Sequence, residues 1–173
     1  RTGREKDLAR FQEKLTRLTF LDPACGCGNF LVIAYREIRR LELEALRAQY
    51  GDQQIDAALL ARVNVGQFYG IEYQEFPVRI AEVAMWMMDH IANNELSESF
   101  SINYARIPIS QTAHILQDDA LETDWSAVLP PAKCHYIMGN PPFIGAKFQT
   151  DPRLHNQDQI PKAIPWQYQR QAL

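Results

Sequence analysis

Three segments of the chain repeat apolar residues every three to four positions, which is the spacing of an amphipathic helix. They cover residues 4–17, 30–50 and 76–94, and a weaker pattern covers 54–63. Pro77 lies in the first turn of the third segment, where its missing N–H costs no hydrogen bond. The side chains expected to face the core are Leu8, Phe11 and Leu15, then Leu31, Ala34, Ile38, Leu41 and Ala45, then Ile80, Val83, Ala84, Met87 and Ile91. Those expected in solvent on the second helix are Arg36, Arg39, Arg40 and Glu42.

Four short apolar runs predict strands at residues 19–21, 68–71, 113–116 and 134–138. Helical segments separate most of these runs, and residues 95–111 are predicted to form a loop. Strands that alternate with helices form a parallel sheet with right-handed connections. The pattern therefore predicts an α/β fold, a partial Rossmann-like parallel sheet of about four strands flanked by helices.

A polar residue follows each predicted strand, namely Asp22, Glu72, Asp119 and Asn140. The carboxyl ends of parallel strands lie at one edge of a sheet, so these side chains should meet there. Open α/β sheets bind their ligands at that edge. We therefore expect a binding crevice built from these four positions.

Composition is that of one globular domain, because 46% of the 173 residues are apolar and 23% are charged. No apolar run reaches the roughly 20 residues that cross a bilayer, and no secretory signal opens the chain. The three cysteines predict a reducing, cytoplasmic location, and Cys25 and Cys27 lack a second pair at zinc spacing, so no metal is expected. A net charge of −3 predicts no DNA-binding groove within this segment.

The globular part is expected to cover residues 1–148 as an incomplete domain. Residues 149–173 are rich in Gln and Pro and lack apolar periodicity, which predicts an irregular tail. The chain starts without a methionine and stops abruptly at Leu173, so a piece of a longer protein is expected.

The turn after the first strand, residues 22–30, carries two glycines that permit a tight bend and the close approach of a ligand to the backbone. Leu31 stands where a dinucleotide fingerprint has its third small residue, and Asp22 would repel a pyrophosphate. An acid at position 22 suits a cationic group such as a sulfonium or an amine, and Glu72 suits ribose hydroxyls. The alternative is that Asp22 only caps the turn and that Glu72 is a solvated strand end.

Residues 140–143, Asn-Pro-Pro-Phe, follow the fourth predicted strand. The prolines fix φ and remove two N–H donors, so this segment cannot continue as a helix. It presents an amide oxygen, rigid carbonyls and an aromatic ring, which together suit an exocyclic amine on a planar heterocycle. The alternative is an ordinary proline turn with a buried Phe.

These motifs resemble, in order, those of the adenine-N6 DNA methyltransferases. The resemblance is to the large chains that join a methyltransferase to a restriction endonuclease or that belong to phage-defence systems, and it covers roughly residues 15–148. The matching segments are Phe20 to Leu31, Gly70-Ile71-Glu72 with the helix Phe76 to Asn94, Asp119-Ala120-Leu121 with Asp124-Trp125, and Gly139-Asn140-Pro141-Pro142-Phe143. Cys27 stands where the family usually has a serine, and the tail does not look like the family's continuation.

The resemblance implies S-adenosylmethionine as the cofactor and assigns a role to each motif. The residues expected around its methionine part are Asp22, Ala24, Gly26 and Gly28, with Phe30 bordering that pocket. Glu72 should bind the ribose, and Asp119 rather than Asp118 should lie near the cofactor's adenine. The residues expected to hold the target adenine are Asn140, Pro141, Pro142 and Phe143, with the Asn140 amide, the Pro141 carbonyl and the Phe143 ring acting on the base.

The implied partner is DNA, bound through a recognition domain outside this segment, with a nuclease domain or subunit in addition and no membrane. A complete sheet of the family has more strands than the four predicted, so little or no methyl transfer is expected from the segment alone. Two alternatives stay open. The chain is a truncated, inactive cofactor-binding remnant, or it methylates another amine, that of glutamine in a protein or of guanine in RNA.

Overall fold

The computed structural model describes residues 3–51, 61–100 and 111–140. The helices and strands in chain order are α1 Gly3–Arg17, β1 Phe20–Asp22, α2 Asn29–Tyr50, β2 Phe68–Glu72, α3 Glu75–Phe100, β3 His114–Gln117, α4 Trp125–Val128 and β4 Tyr136–Ile137. Most of the helix predicted at 54–63 lies outside the described residues, and residues 61–63 are not helical. Within the described ranges, no helix combines the length and the apolarity that a membrane span requires.

The four strands of the described part form one parallel sheet in the order β3-β2-β1-β4. Phe20 at the start of β1 lies opposite Phe68 of β2 and Tyr136 of β4. The Phe20 ring stacks on both neighbours, with centroids 4.8 and 5.3 Å away. The predicted parallel α/β fold is confirmed, and all four strands end at the same edge of the sheet.

Both faces of the sheet are covered, as in most parallel sheets. One face packs Phe20 and Phe68 against α1, α2 and α3, and the Tyr35 ring meets Phe68 edge-on at 5.3 Å. The other face packs Leu21 and its neighbours against Trp125 of α4. Residues 20 and 21 therefore point to opposite faces, which is the period of two expected of a strand.

The buried face of α3 is not the predicted one. The large side chains at Ile80, Val83, Met87 and Ile91 are 36–55% exposed. The residues that face the core are Val78, Ala81, Met85, Met88, Ala92, Leu96 and Phe100. Both sets repeat at three and four, so periodicity alone does not distinguish them. The helix also continues to Phe100, so the loop predicted from residue 95 begins too early.

Two further errors concern α1 and α2. Phe11 and Leu41, predicted to face the core, are 39% and 41% exposed. Arg39 and Glu42, predicted in solvent, are 4% and 1% exposed. Polar Gln12 is buried on α1 instead, and its Nε2 donates to Glu42 Oε1 at 3.2 Å.

Arg39 and Glu42 are buried because several elements supply their partners. The Arg39 guanidinium donates to the carbonyl of Val63 and to Asn93 Oδ1, both at 2.9 Å, and lies 3.8 Å from carboxylate oxygens of Glu42 and Asp89. Glu42 Oε1 also accepts from the backbone N–H of Val63 at 3.1 Å. Buried charges are tolerated when they are paired and hydrogen-bonded in this way. The cluster joins α2, α3 and the segment that leads into β2.

Candidate functional site

The turn between β1 and α2 forms the centre of the sheet edge. Asp22 ends β1, and its Oδ1 accepts the backbone N–H of Ala24 at 3.0 Å. Cys25 then donates its backbone N–H to the carbonyl of Ile71 on β2 at 3.1 Å. Gly26 and Gly28 have φ angles of +53° and +81°, which L side chains rarely adopt. The two glycines therefore permit the bend that the sequence predicted.

No side chain of the described ranges caps the start of α2. Gly28 occupies the N-cap position with no side-chain hydrogen bond, and the first turn of the helix contains no acidic residue. The N–H groups of the first helical turn and the helix dipole make this end attractive to an anion. Gly28 also packs closely on α3, because a Cβ at this position would lie 3.0 Å from the Cβ of Ala81.

Glu72, at the end of β2, supports the glycine turn. Its Oε2 accepts the backbone N–H of Gly26 at 3.0 Å, and its Oε1 accepts that of Gln74 at 2.9 Å. Each carboxylate oxygen has a second lone pair and can accept a further hydrogen bond. Glu72 is thus more than a solvated strand end, because it fixes the backbone of the turn and retains acceptor capacity.

Asp22 is the most unusual group at the edge. It is 1% exposed, and its Oδ2 has no hydrogen-bond partner among the described residues. Burial raises the pKa of this carboxyl to about 7, against the hydrogen bond from Ala24 that lowers it, and the nearby charge of Glu72 raises it further. A buried carboxyl with an unpaired oxygen and a perturbed pKa is a candidate functional group.

Cys25, in the same turn, is not a nucleophile in this environment. Its thiol is buried, and both burial and the charge of Asp22 raise its pKa well above the usual range. Reactive cysteines need a lowered pKa and solvent access. The packing of Cys25 is instead close, because a Cβ on Gly70 of β2 would lie 2.8 Å from its Sγ.

The loop after β3 brings the third acid to the edge. The backbone N–H of Asp118 donates to the carbonyl of Glu72 at 3.0 Å, so this loop lies against the end of β2. Asp119 is partly buried, and its Oδ1 accepts the backbone N–H of Leu121 at 2.9 Å. Asp119 therefore shapes its own turn beside the strand ends.

The segment after β4 lies directly against Asp22. The backbone N–H of Met138 donates to the carbonyl of Leu21 at 2.9 Å, and Gly139 comes next. A Cβ on Gly139 would lie 2.6 Å from Asp22 Oδ1, which is closer than real Cβ atoms come. Asn140 follows and is exposed. Pro141, Pro142 and Phe143 lie outside the described residues.

The sheet edge thus brings together the predicted positions Asp22, Glu72, Asp119 and Asn140 through contacts between the loops that carry them. Phe30 lies in the first turn of α2 and is 45% exposed. Gly139 is part of the sequence motif that contains Asn140, but nothing in the local sequence assigns it a role, because its importance comes from contact with Asp22, more than one hundred positions away in the chain. Only the position of this glycine, just ahead of Asn140, could have indicated it.

Comparison with known proteins identifies a family model that matches this chain. The family model described as "MmeI, DNA-methyltransferase domain" matches residues 1–170. A solved structure of the Type IIL restriction-modification enzyme MmeI in complex with DNA shares 50% identity and a TM-score of 0.82, over 88% of this chain and 21% of that one.

Two curated proteins are also similar. DNA methyltransferase A from Bacillus subtilis (strain 168) is 32% identical over 160 residues, which are 89% of this chain and 18% of that protein. A putative type II restriction enzyme and methyltransferase from Methanocaldococcus jannaschii is 26% identical over 80 residues, 46% of this chain and 7% of that protein. The chain thus spans about a fifth or less of the length of the proteins it matches.

Proposed function

This chain belongs to the MmeI DNA-methyltransferase domain family, and we propose that it serves to transfer a methyl group from S-adenosylmethionine to N6 of adenine in DNA, within a restriction-modification or defence system. One observation carries the proposal. The buried carboxyl of Asp22, with an unpaired oxygen, lies against Gly139, the residue that immediately precedes Asn140. A site for a cation and an acceptor for an amine are thereby adjacent at the edge of the sheet.

The residues present fit S-adenosylmethionine, which carries a sulfonium, an ammonium and a carboxylate. The unpaired Asp22 oxygen suits a cationic group, and the uncapped start of α2 after Gly28 suits the carboxylate. When bound, this cofactor supplies a methyl group made electrophilic by the sulfonium. The residues proposed to hold it are Asp22, Ala24, Gly26, Gly28 and Phe30 at the methionine part, Glu72 at the ribose and Asp119 near the adenine.

Asn140 is proposed to act on the target base. The lone pair of adenine N6 is delocalised into the ring, so the free amine is a poor nucleophile. Acceptors at the Asn140 amide oxygen and the Pro141 carbonyl hold both N–H bonds and favour a pyramidal nitrogen with a localised lone pair. They also stabilise the positive charge that develops on N6 before its proton leaves to water. No strong general base is needed for this step.

The substrate is proposed to reach the site as a base rotated out of the duplex. Extruding a nucleotide costs a few kcal/mol, and the ring of Phe143 would replace part of the lost stacking. The net charge of −3 does not favour the DNA backbone. Sequence recognition and most of the affinity for DNA are therefore assigned to protein outside this segment, together with any nuclease.

The test combines a binding assay with product analysis. Calorimetry with S-adenosylmethionine asks whether the chain holds the cofactor, and Asp22→Ala should weaken that binding at least tenfold. Tritiated methyl transfer is then measured at high protein concentration on a single-stranded oligonucleotide, which removes the cost of extruding the base. Asn140→Ala should abolish transfer and leave the cofactor affinity within twofold of the wild type.

Nucleoside digestion identifies the methylated atom. Label in N6-methyladenine supports the proposal. Label in cytosine, or label in guanine of RNA or glutamine of protein offered in parallel reactions, overturns the assignment of the substrate. Cofactor binding without any labelled product overturns the assignment of transfer to this segment alone, in line with the little or no transfer expected of a partial sheet. Loss of cofactor affinity in Asn140→Ala would refute the separate role given to that side chain.

A further inference from the structure

We propose that Gly139 is a positioning residue, whose missing side chain lets Asp22 set the place of Asn140. This inference rests on the proposed function and adds a residue to it. Gly139 touches neither the cofactor nor the base in this scheme. It acts because the buried carboxyl at the end of β1 supports the backbone just ahead of the side chain that holds the target amine.

The contact leaves no room for a side chain at position 139 unless the carboxyl or the backbone shifts. A Cβ built on Gly139 would lie 2.6 Å from Asp22 Oδ1, 3.2 Å from Cγ and 3.6 Å from Oδ2. An ordinary contact of this kind begins near 3.4 Å. An added methyl group would therefore force the carboxyl and the backbone apart by about 0.8 Å, the difference between the two distances.

The backbone at 139–140 is the part that should move. Asp22 belongs to β1, which is paired on both sides by β2 and β4, and its Oδ1 is held by the N–H of Ala24. Gly139 lies two residues past the end of β4, and Met138 supplies the last hydrogen bond to β1 in the described part. Fewer interactions restrain Gly139 than restrain Asp22. A Cβ at position 139 should therefore displace Asn140 and leave Asp22 in place.

A displacement of this size is large for catalysis, because misplacing a reacting group by about 1 Å can cost on the order of a hundredfold in rate. Gly139→Ala should therefore lower kcat by about 10- to 100-fold, since the amide oxygen no longer meets N6 in the right geometry. The dissociation constant for S-adenosylmethionine should stay within twofold of the wild type, because the turn that carries Asp22 is not moved.

The experiment pairs kinetics with a double-substitution cycle that needs no activity. Gly139→Ala, Asp22→Ala and the double variant are unfolded in urea, with Gly3→Ala as control because a Cβ there would meet nothing within 4 Å. Gly139→Ala should lower the urea midpoint in the wild-type background and leave it unchanged in the Asp22→Ala background, where the opposing carboxyl is gone. Gly3→Ala should have the same small effect in both backgrounds.

The outcomes separate this inference from the proposed function. Equal midpoint shifts in both backgrounds, or a loss of cofactor affinity that matches the loss of kcat, overturns the role of Gly139. If the wild type transfers no methyl group while the cycle still shows coupling, the proposed function fails and the contact between the two residues stands.

Discussion

The buried carboxyl of Asp22 predicts an unusual dependence of stability on pH. Burial raises its pKa from the ordinary 3.8 to about 7 in the folded chain. The folded state therefore binds a proton that the unfolded state has already released between these values. The stability associated with this group is fully present below about pH 3.8, decreases as the pH rises and levels off above about pH 7. Asp22→Asn removes this dependence, because the amide does not titrate.

The size of the effect follows from the two pKa values. A difference from 3.8 to about 7 corresponds to about 4 kcal/mol, since one pH unit is worth about 1.4 kcal/mol. The difference in free energy of unfolding between Asp22→Asn and the wild type should therefore shift by about 2 to 4 kcal/mol between pH 4 and pH 8, in favour of the variant at the higher pH. An unpaired amide N–H in the variant costs about 1 to 3 kcal/mol at every pH and cancels in this comparison.

Urea unfolding of both proteins across this pH range, without cofactor, measures the shift. Other carboxylates titrate equally in the two proteins, so the comparison isolates position 22. Parallel curves would refute the reasoning, because they would show that Asp22 is already ionised in the folded chain. Calorimetry gives an independent check. If a cationic group of the cofactor pairs with Asp22, the pKa of Asp22 falls on binding. Up to about 0.8 proton should then be released per cofactor at pH 6.5.

Two other perturbations probe the frame around the site. Gly28→Ala should lower both the free energy of unfolding and the cofactor affinity, because φ at this position is +81° and the new Cβ would lie 3.0 Å from the Cβ of Ala81. Gly51→Ala is the matched control for backbone strain alone, since φ there is +57° and a Cβ would meet nothing within 4 Å. If urea unfolding shows that Gly28→Ala lowers the free energy of unfolding by no more than Gly51→Ala does, the contact between position 28 and Ala81 is contradicted. Arg39→Met should cost about 3 to 5 kcal/mol in the same assay, because it leaves the buried carboxylate of Asp89 without its cation. A cost under about 1 kcal/mol would show that water reaches this cluster.

The strands and the parallel sheet could be predicted because their signals are local. Each apolar run of three to five residues became a strand within two positions of its predicted bounds, and the polar residues that follow them meet at one edge. This edge is a property of parallel topology, so the meeting of Asp22, Glu72, Asp119 and Asn140 followed from the order of elements. The distances between these four side chains could not be predicted, because they depend on contacts between loops that are far apart in the sequence.

The errors have a different origin. The α3 sequence offers two apolar sets at helical spacing, and the choice between Val83 and Met85 as a core residue is made by the sheet beneath the helix. Arg39 was predicted in solvent because charged residues are rarely buried. Its partner Asn93 lies 54 positions away, so the local sequence around α2 could not show that the charge would be satisfied inside.

The Asp22 oxygen that has no hydrogen-bond partner among the described residues is costly unless a ligand uses it. The raised pKa of this carboxyl corresponds to about 4 kcal/mol, a large fraction of the 5–15 kcal/mol that stabilise a typical domain. A neutral residue at position 22 would avoid the cost and keep the strand. The fit around this carboxyl argues against an accidental burial, because Gly139 lacks the side chain that would push its backbone away from Asp22, and the N–H of Ala24 holds the same carboxyl from the turn. A buried acid with a close-fitting backbone on each side is expected where a cationic ligand recovers the lost stability on binding, and such a ligand should stabilise the folded chain more at pH 8 than at pH 5.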